Sequence, residues 1–445
     1  MTDSHLLAAD VSWYHPSRKI YRYTVLIAVS LLTFGSYFAY DSVGAIAPTL
    51  IQELGLDRES IGQMYTLYSV AAILSVFIGG LLIDRIGTRR ASFLFSALVT
   101  IGAGIVAFAP NTWVLYFGRF IFGWGSESLV VAQSSIFARW FKGKELAFSF
   151  GVGLTISRLG TLFSFNTEAL IAEYFQSYKA ALWAAVLFCV FSLLANIIYI
   201  FLDRRGERIL KLKEEGGGDK IVFGDVKQFR PSYWYVTLLC LTFYSAIFPF
   251  TALSTDFFNS KWGLPLTVDS GGGFLYQVFY NVIHMFSTAG GTTTIIIFAS
   301  MVLAPVFGKF VDRFGRRATI MVLGSLLMIP AFLAMGFTTF PPVLPMIVLG
   351  ASFVMVPAAM WPSIPLIVEK NRVGTAFGLT TMIQNIGLAL FPWLNGLLRD
   401  ATQDYTASML MFSSLGVVGF VFAVLLRRAD MREGSRLERK DVPVN

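Results

Sequence analysis

Glu127 and Arg158 carry opposite charges in the middle of apolar stretches where charge is otherwise scarce. An ionisable group inside a membrane is costly unless it is paired or hydrated, so each one needs a reason to be there. The residues near them are small or hydroxylated, as in the lining of a water-filled cavity: Gly123, Gly125, Ser126 and Ser128 near the glutamate, and Thr155, Ser157 and Thr161 near the arginine.

The two charges together are complementary to a zwitterionic substrate. An arginine can hold a carboxylate through two parallel hydrogen bonds, and a glutamate can accept an ammonium group. A purely anionic substrate would require more cations in the apolar stretches of the second half, and a sugar would not require Arg158. A purely structural ion pair between Glu127 and Arg158 is the alternative.

Further charged, aromatic and polar side chains also lie within the apolar stretches. Asp41 and Arg119 are also charged residues of the first half; we predict that Asp41 lines the cavity and that Arg119, eight residues before Glu127, has a structural or coupling role. The remaining predicted substrate contacts are aromatic or uncharged and polar: Tyr37, Tyr40, Tyr244, Trp361, Gln384 and Asn385.

Metal, cofactor and enzymatic chemistry are not indicated. His5, His15 and His284 are scattered, and no nucleophile is paired with a base in the pattern. Cys189 and Cys240 fall in apolar stretches, where a thiol behaves as a small apolar side chain, so we infer no disulfide. We predict a protein that is not an enzyme and that has no cofactor.

The elements that position these residues are predicted to be membrane-spanning helices. Of 445 residues, 55% are hydrophobic and 14% are charged, whereas soluble domains carry about 25% charged residues. A crossing needs about 20 apolar residues. Twelve stretches qualify, at 22–46, 61–83, 92–109, 113–138, 146–170, 180–202, 233–255, 291–311, 318–338, 342–367, 373–397 and 406–426.

The basic residues predict the orientation. If the N-terminus is cytoplasmic and loops alternate sides, 29 of the 35 Lys and Arg residues lie in inner segments. Outer segments then hold Arg58, Lys179, Lys261 and Arg399. This skew follows the positive-inside rule. We therefore predict a multi-pass membrane protein with both termini in the cytoplasm, and the net charge of +8 reflects topology rather than nucleic-acid binding.

The chain divides at its widest inner gap, which carries eight basic residues and Gly216-Gly217-Gly218. A G-x-x-x-D-R-x-G element recurs on both sides of that gap, at 80–87 and at 308–315. Parallel repeats of six spans each are the architecture of major facilitator transporters. We therefore predict an all-α membrane protein of twelve helices in two pseudo-symmetric bundles: a tail at 1–21, a bundle at 22–202, a linker at 203–232, a bundle at 233–427 and a tail at 428–445.

The repeated element is predicted to act as a gate. It lies in a short inner loop, where its aspartate can meet helix N-terminal amides or a neighbouring arginine in one state and release them in another. We assign this role to Asp84, Arg85, Asp312 and Arg313. On the other side, the long outer segment 256–290 is predicted to turn at its three glycines and to extend the eighth span outward.

The sequence resembles a known family over most of its length. The matching stretches are Phe34-Gly35-Ser36-Tyr37-Phe38, Tyr40-Asp41, Phe117-Gly118-Arg119-Phe120, Glu127-Ser128-Leu129, the run from Trp140 to Leu146, Arg158-Leu159-Gly160, Glu207-Arg208-Ile209-Leu210, Phe248-Pro249-Phe250, Trp361-Pro362, the run from Gly374 to Gly378, and Gln384-Asn385. The chain resembles the lysosomal dipeptide uniporter branch of the major facilitator superfamily, or a microbial homologue of it.

The resemblance implies uniport of dipeptides, with the substrate amino group at Glu127 and its carboxylate at Arg158. It also implies an accessory luminal or extracellular subunit, although the outer segment 258–290 looks longer here, on the face where such a subunit would dock. We expect a single chain to form the transport unit. The membrane would be lysosomal in a eukaryote and cytoplasmic in a bacterium.

Two other transport functions stay open. The first is a proton-coupled symporter of peptides or another small zwitterion, with Glu127 or Asp41 as the titrating group. Its oligopeptide class has a Glu-x-x-Glu-Arg element in the first span, which 23–46 lacks. The second is a drug or metabolite antiporter, whose glycine-proline signature is missing from 146–170.

Overall fold

The computed structural model describes residues 15–141, 145–210, 228–269, 271–369 and 372–440. Fourteen α-helices lie in these ranges. The first half contains α1 (Lys19–Ser30), α2 (Phe34–Ala45), α3 (Ala47–Leu54), α4 (Arg58–Phe108), α5 (Thr112–Phe141), α6 (Leu146–Tyr174) and α7 (Tyr178–Leu210). The second half contains α8 (Pro231–Trp262), α9 (Phe274–Ile283), α10 (Ala289–Phe314), α11 (Arg317–Phe337), α12 (Val343–Ile367), α13 (Val373–Thr402) and α14 (Thr406–Arg432).

These helices provide the twelve predicted crossings. The first crossing consists of α1 and α2, and α4 contains two crossings that are separated at Gly87. Within the described ranges, nine helical segments are long and apolar enough to span a membrane. The first part of α4, α5 and α10 supply the other three crossings. α5 contains three charged residues, Arg119, Glu127 and Arg139.

The repeated element has the same backbone feature in both halves. Its last glycine takes a positive φ, 79° at Gly87 and 66° at Gly315, a conformation that side chains other than glycine rarely adopt. At Gly315 an added Cβ would also lie 2.5 Å from the carbonyl oxygen of Arg439. Each glycine reverses the chain between two consecutive crossings, which explains why the element occurs once in each bundle.

The outer segment differs from the prediction of a continuous extension of the eighth span. α9 is a separate helix, followed by a 3-10 turn at Met285–Ser287, and α10 starts only at Ala289. Thr288 has an extended backbone, and its side chain caps α10 by accepting a hydrogen bond from the Gly291 amide. This cap starts a new helix, so the prediction of one continuous helix was wrong.

Helices of each half pack mainly against one another: α2 on α6 and α7, and α4 on α5 and α7 in the first; α11 on α12 and α14, and α8 on α13 and α14 in the second. Between the halves, α4 packs on α13, α6 on α10 and α2 on α8. Asp41 on α2, Arg158 on α6 and Tyr244 on α8 therefore lie on helices that pack between the two halves.

Candidate functional site

The centre of the site lies where α2 and α6 approach closely. Gly160 makes this possible, because a Cβ there would be 2.3 Å from the carbonyl oxygen of Phe34. One turn earlier, the hydroxyls of Thr33 and Ser157 are 2.6 Å apart and form a buried hydrogen bond. This contact brings the Arg158 guanidinium to within 5.9 Å of the Tyr37 ring centroid.

Arg158 is half-buried and surrounded by aromatic rings from both halves. Its guanidinium carbon lies 5.8 Å from the ring centroid of Phe248 on α8 and 5.2 Å from that of Phe353 on α12. Cation–π contacts of this kind hold the side chain in place without neutralising it. The Arg158 guanidinium forms no hydrogen bond or ion pair with another described residue, so its donors remain available to a ligand.

Glu127 is held by a tyrosine rather than by the arginine. The Tyr68 hydroxyl lies 2.8 Å from Glu127 Oε1 and 3.1 Å from Ser126 Oγ. No ion pair joins Glu127 to Arg158, although both side chains are described. The Tyr37 hydroxyl is within electrostatic range of both Glu127 and Arg158, so the two charges share one region. The arrangement is therefore not that of a structural ion pair.

Asp41 and Arg119 lie nearer the outer side. Asp41 is 6% exposed and sits within electrostatic range of both Arg119 and Arg158. Arg119 is 2% exposed and donates to the carbonyl oxygens of Ala39 and Tyr40, each at 3.2 Å. Its guanidinium carbon is 4.9 Å from the Tyr65 ring centroid. Arg119 thus ties α5 to α2, while the Tyr40 ring packs edge-on against Tyr65 and Tyr68.

The second half contributes aromatic and uncharged polar groups. Trp361 Nε1 donates to the Tyr244 hydroxyl at 3.0 Å, and the Tyr244 ring stacks on Phe248 beneath Arg158. Gln384 accepts a hydrogen bond from the Cys240 thiol at 3.5 Å, one turn from Tyr244 on α8. Tyr244, Trp361 and Gln384 therefore belong to the cluster. Asn385 is buried, and its amide donates to the Thr381 carbonyl of its own helix instead.

The described side chains of the predicted inner gate form no ion pair with another described residue. Asp84 and Arg85 are exposed and make no hydrogen bond or ion pair with another described residue. Arg313 is exposed and lies over the Phe314 ring, 5.4 Å from its centroid. The Asp312 side chain lies outside the described residues. The gating assignment of these four residues stays a prediction.

The side that is predicted to be the outer one, in contrast, is closed by contacts between the halves. Arg58 Nε and Nη2 donate to the two carboxylate oxygens of Asp256 at 2.8 and 3.2 Å, and the Tyr405 hydroxyl donates to Asp256 Oδ2 at 2.6 Å. Burial, followed by the Asp256 charge, raises the pKa of Tyr405 well above its usual range, so this phenol stays a donor. Trp393 Nε1 donates to Glu59 Oε1 at 2.8 Å.

Close backbone approaches complete this closure. A Cβ on Gly62 would lie 2.2 Å from the Pro392 carbonyl oxygen, and one on Gly290 would lie 2.0 Å from that of Phe165. The hydrogen bonds that join described residues of the two halves lie at this outer end: from Thr66 outward on α4, from Asn166 outward on α6, and at Gly44 on α2, whose carbonyl accepts from Thr255. The candidate site is therefore closed at the end of the molecule that is predicted to be the outer one.

Several of these residues were missed at the sequence level. Phe248 and Phe353 are apolar and carry no signal of a ligand site, and Tyr68 resembles an ordinary packing aromatic. Arg58 was assigned only to topology. Glu168 lies inside the predicted fifth span but was not named beside Asp41, Arg119, Glu127 and Arg158; its charge and its position in an apolar stretch were sufficient to find it. In the described part of the chain, no group of three or more His, Cys, Asp or Glu side chains could hold a metal ion.

Comparisons with known proteins agree with this architecture. A family model described as Major Facilitator Superfamily matches residues 29–290 and 275–443. The chain is 33% identical over 424 residues to the lysosomal dipeptide transporter MFSD1 of Danio rerio, covering 92% of this chain and 87% of that protein. The Homo sapiens protein of the same name is 30% identical over 435 residues, covering 95% and 89%.

A solved structure is similar at the level of the fold. The bacterial homologue of the human lysosomal transporter Spinster, in an inward-facing and occupied conformation, superposes with a TM-score of 0.71. The match has 15% sequence identity and covers 94% of this chain and 99% of the other. At this identity the likeness concerns the path of the helices and not the substrate.

Proposed function

This chain belongs to the Major Facilitator Superfamily, and on that premise we propose that it moves dipeptides across a membrane by alternating access, as a uniporter. Membership makes it a membrane transporter and not an enzyme, as the sequence predicted. The relatives' name, lysosomal dipeptide transporter, supports the substrate class. The observation that carries the proposal is that Glu127 and Arg158 share one site without pairing.

Arg158 is proposed to bind the substrate carboxylate. Its guanidinium is positioned by the rings of Tyr37, Phe248 and Phe353, and none of its donors is used by a described residue. A carboxylate arriving there would gain two charge-assisted hydrogen bonds, worth about 1.5–3 kcal/mol each. A neutral ligand would leave this charge uncompensated in a poorly hydrated site.

Glu127 is proposed to bind the substrate ammonium. Its Oε1 atom accepts from Tyr68, which orients the carboxylate and leaves acceptor positions free. The second half surrounds the space with Tyr244, Trp361 and Gln384, none of which carries a charge. Such a lining tolerates varied side chains, which supports a carrier for many dipeptides rather than for one.

Alternating access is supported by the uneven contacts between the halves. The outer closure through Arg58 and Asp256 is formed, while Asp84 of the inner element is unengaged. We propose that the structure represents the inward-facing state and that the inner element closes as the outer one opens. The membrane would be lysosomal in a eukaryote or cytoplasmic in a bacterium, with both termini in the cytoplasm. An accessory luminal subunit remains part of the proposal for a eukaryotic source.

The test is uptake of a radiolabelled dipeptide such as dialanine into liposomes that contain the purified protein. We expect the wild type to transport it, and Glu127→Gln and Arg158→Lys each to abolish uptake. Glutamine lacks the negative charge for the ammonium, and lysine keeps its charge but cannot bind the carboxylate through two parallel hydrogen bonds. Lys179→Gln, which removes an exposed outer charge, is the matched control. Normal uptake by either site variant would refute the assignment.

Modified substrates separate the two contacts. We expect N-acetylation of the dipeptide to prevent binding to the wild type through loss of the ammonium, and esterification to prevent it through loss of the carboxylate. Single amino acids and tripeptides should compete poorly. A pH gradient imposed without a substrate gradient should drive no accumulation; accumulation would instead identify a proton-coupled symporter.

A further inference from the structure

Glu168 is a buried carboxyl group that the proposed transport cycle does not use. It lies on α6, ten residues beyond Arg158 and six before the outer end of the helix at Tyr174, which corresponds to about 9 Å along the axis. Its side chain is 0% exposed. Neither carboxylate oxygen has a hydrogen-bond partner among the described residues.

The surroundings of Glu168 offer nothing to offset a negative charge. Among described groups, the Cys189 thiol on α7 is the titratable one within electrostatic range, and no cation acts on the carboxyl. None of the other described ionisable groups on the helices packed against α6 acts electrostatically on Glu168. They are Lys19, Tyr21, Arg22 and Tyr23 on α1; Tyr37, Tyr40 and Asp41 on α2; Tyr116, Arg119, Glu127 and Arg139 on α5; Tyr178, Lys179, Tyr199, Asp203, Arg204, Arg205, Glu207 and Arg208 on α7; Tyr276 and Tyr280 on α9 with His284 after it; and Lys309 and Arg313 on α10. An unpaired carboxylate in such a place is strongly disfavoured, so the neutral acid is the form that can be buried.

Polar residues connect Glu168 to the substrate site. Ser157, Thr161, Ser164 and Glu168 follow one another at intervals of four, three and four residues, which places them on one face of α6. Thr161 lies beside the Asp41 carboxyl, and the Ser164 hydroxyl is buried without a hydrogen-bond partner among described residues. This face therefore leads from the level of Arg158 to Glu168 through hydroxyl groups.

The same part of α6 also takes part in the outer closure. The carbonyl of Phe165 packs against Gly290, and the Asn166 amide donates to Thr294 Oγ1 at 3.4 Å, both on α10 of the other half. These residues are two and three positions before Glu168. Hydration of a charged Glu168 would loosen this stretch of the helix, whereas a neutral Glu168 leaves it packed.

We propose that Glu168 is a proton-binding site that controls the outer closure. The carboxylate takes up one proton from the outer solution to become the neutral acid, and the halves can then close over it. Loss of the proton to the outer solution restores the charge and favours opening. Acidic outer conditions therefore favour the inward-facing state, and the proton returns to the side from which it came.

The first test is independent of any substrate. In the infrared spectrum of the purified protein, a protonated carboxyl without a hydrogen-bond partner gives a high-frequency carbonyl band. We expect Glu168→Gln to remove that band and Glu173→Gln, an exposed glutamate of the same helix, to leave it unchanged. A spectrum of the Glu168→Gln variant in which the band persists would overturn the proposal. Glu168→Met, also neutral and of similar length, replaces the glutamine variant if that one does not fold.

The second test measures the closure itself. Spin labels at Lys179→Cys and Ala401→Cys, exposed positions at the outer ends of the two halves, report the separation of the halves as the outer pH is varied. We expect the ratio of open to closed wild-type molecules to rise by at most tenfold per pH unit, as for the loss of one proton. We expect the Glu168→Gln variant to stay closed. An unchanged pH response in that variant would contradict the proposal.

The regulatory consequence rests on the proposed function, and the two can fail separately. Dipeptide exchange in liposomes should depend on the outer pH in the wild type and not in Glu168→Gln. If no dipeptide moves in either, the transport proposal fails, whereas the infrared band and the label distances still decide the role of Glu168.

Discussion

Replacing Asp256 by asparagine should shift the protein toward the state that is open on the outer side. Asp256 on α8 binds Arg58 on α4 through two hydrogen bonds, and this ion pair joins the two halves. The asparagine side chain would retain an acceptor for Tyr405 but would lack the negative charge that Arg58 meets. Because the ion pair can exist only when the outer ends touch, its loss destabilises the closed state selectively.

The size of the shift follows from the burial of the pair. Breaking a fully buried ion pair costs about 3–5 kcal/mol, and an exposed one is worth about 0.2–1 kcal/mol. Arg58 is 23% exposed and Asp256 is 6% exposed, so the pair lies between these limits. We expect a loss of about 1–3 kcal/mol from the closed state, which corresponds to a roughly 5- to 150-fold increase in the ratio of open to closed molecules.

Spin-label distances between Lys179→Cys and Ala401→Cys measure this ratio directly, and the native Cys189 and Cys240 are buried. Asp57→Asn is the matched control, because it removes an acidic charge next to Arg58 while asparagine can still cap α4. We expect longer distances for Asp256→Asn and an unchanged distribution for Asp57→Asn. Identical distributions for the wild type and Asp256→Asn would refute the view that this ion pair closes the outer side.

Two further outcomes follow from the site. Arg119→Gln should lower the stability of the purified protein by about 2 kcal/mol or more, because it removes two hydrogen bonds to α2 and the cation–π contact with Tyr65. Thermal unfolding measures this loss. An unchanged melting temperature would exclude a structural role. Trp361→Phe keeps an aromatic ring but loses the hydrogen bond to Tyr244, worth about 1 kcal/mol, so we expect the KM for dialanine to rise about fivefold with the same maximal rate. A changed rate with an unchanged KM would contradict this.

Much of the fold was predictable because membrane crossings impose long apolar stretches on a sequence. The glycines that end the repeated element were also predictable as turns, and both adopt a positive φ. The break before α10 was not, because it depends on the extended backbone of Thr288 and its capping hydrogen bond, which a run of helix-compatible residues conceals.

The charged residues of the site were predictable from the sequence. Arg158 and Glu127 stand out in apolar spans, and so does Glu168, which was nevertheless overlooked near the end of its span. Residues that come into contact from distant parts of the chain carry no such signal in the sequence. Phe353 is one of many phenylalanines, and Arg58 is separated from Asp256 by 198 positions, so only the packing of one half on the other brings them together.

Under the proposed assignment, the different roles of the two halves in binding the substrate explain uniport. Both groups that would bind the charged ends of a dipeptide, Glu127 and Arg158, belong to the first half, so these contacts can persist while the second half moves. They then stabilise the inward- and outward-facing states alike, and binding energy of this kind does not favour either direction. The second half contacts Arg158 through the rings of Phe248 and Phe353, contacts that can slide without breaking a hydrogen bond. The direction of net transport would therefore follow the substrate gradient. The outer ion pair and the proton on Glu168 would set how often the site opens, and not the side to which the substrate leaves.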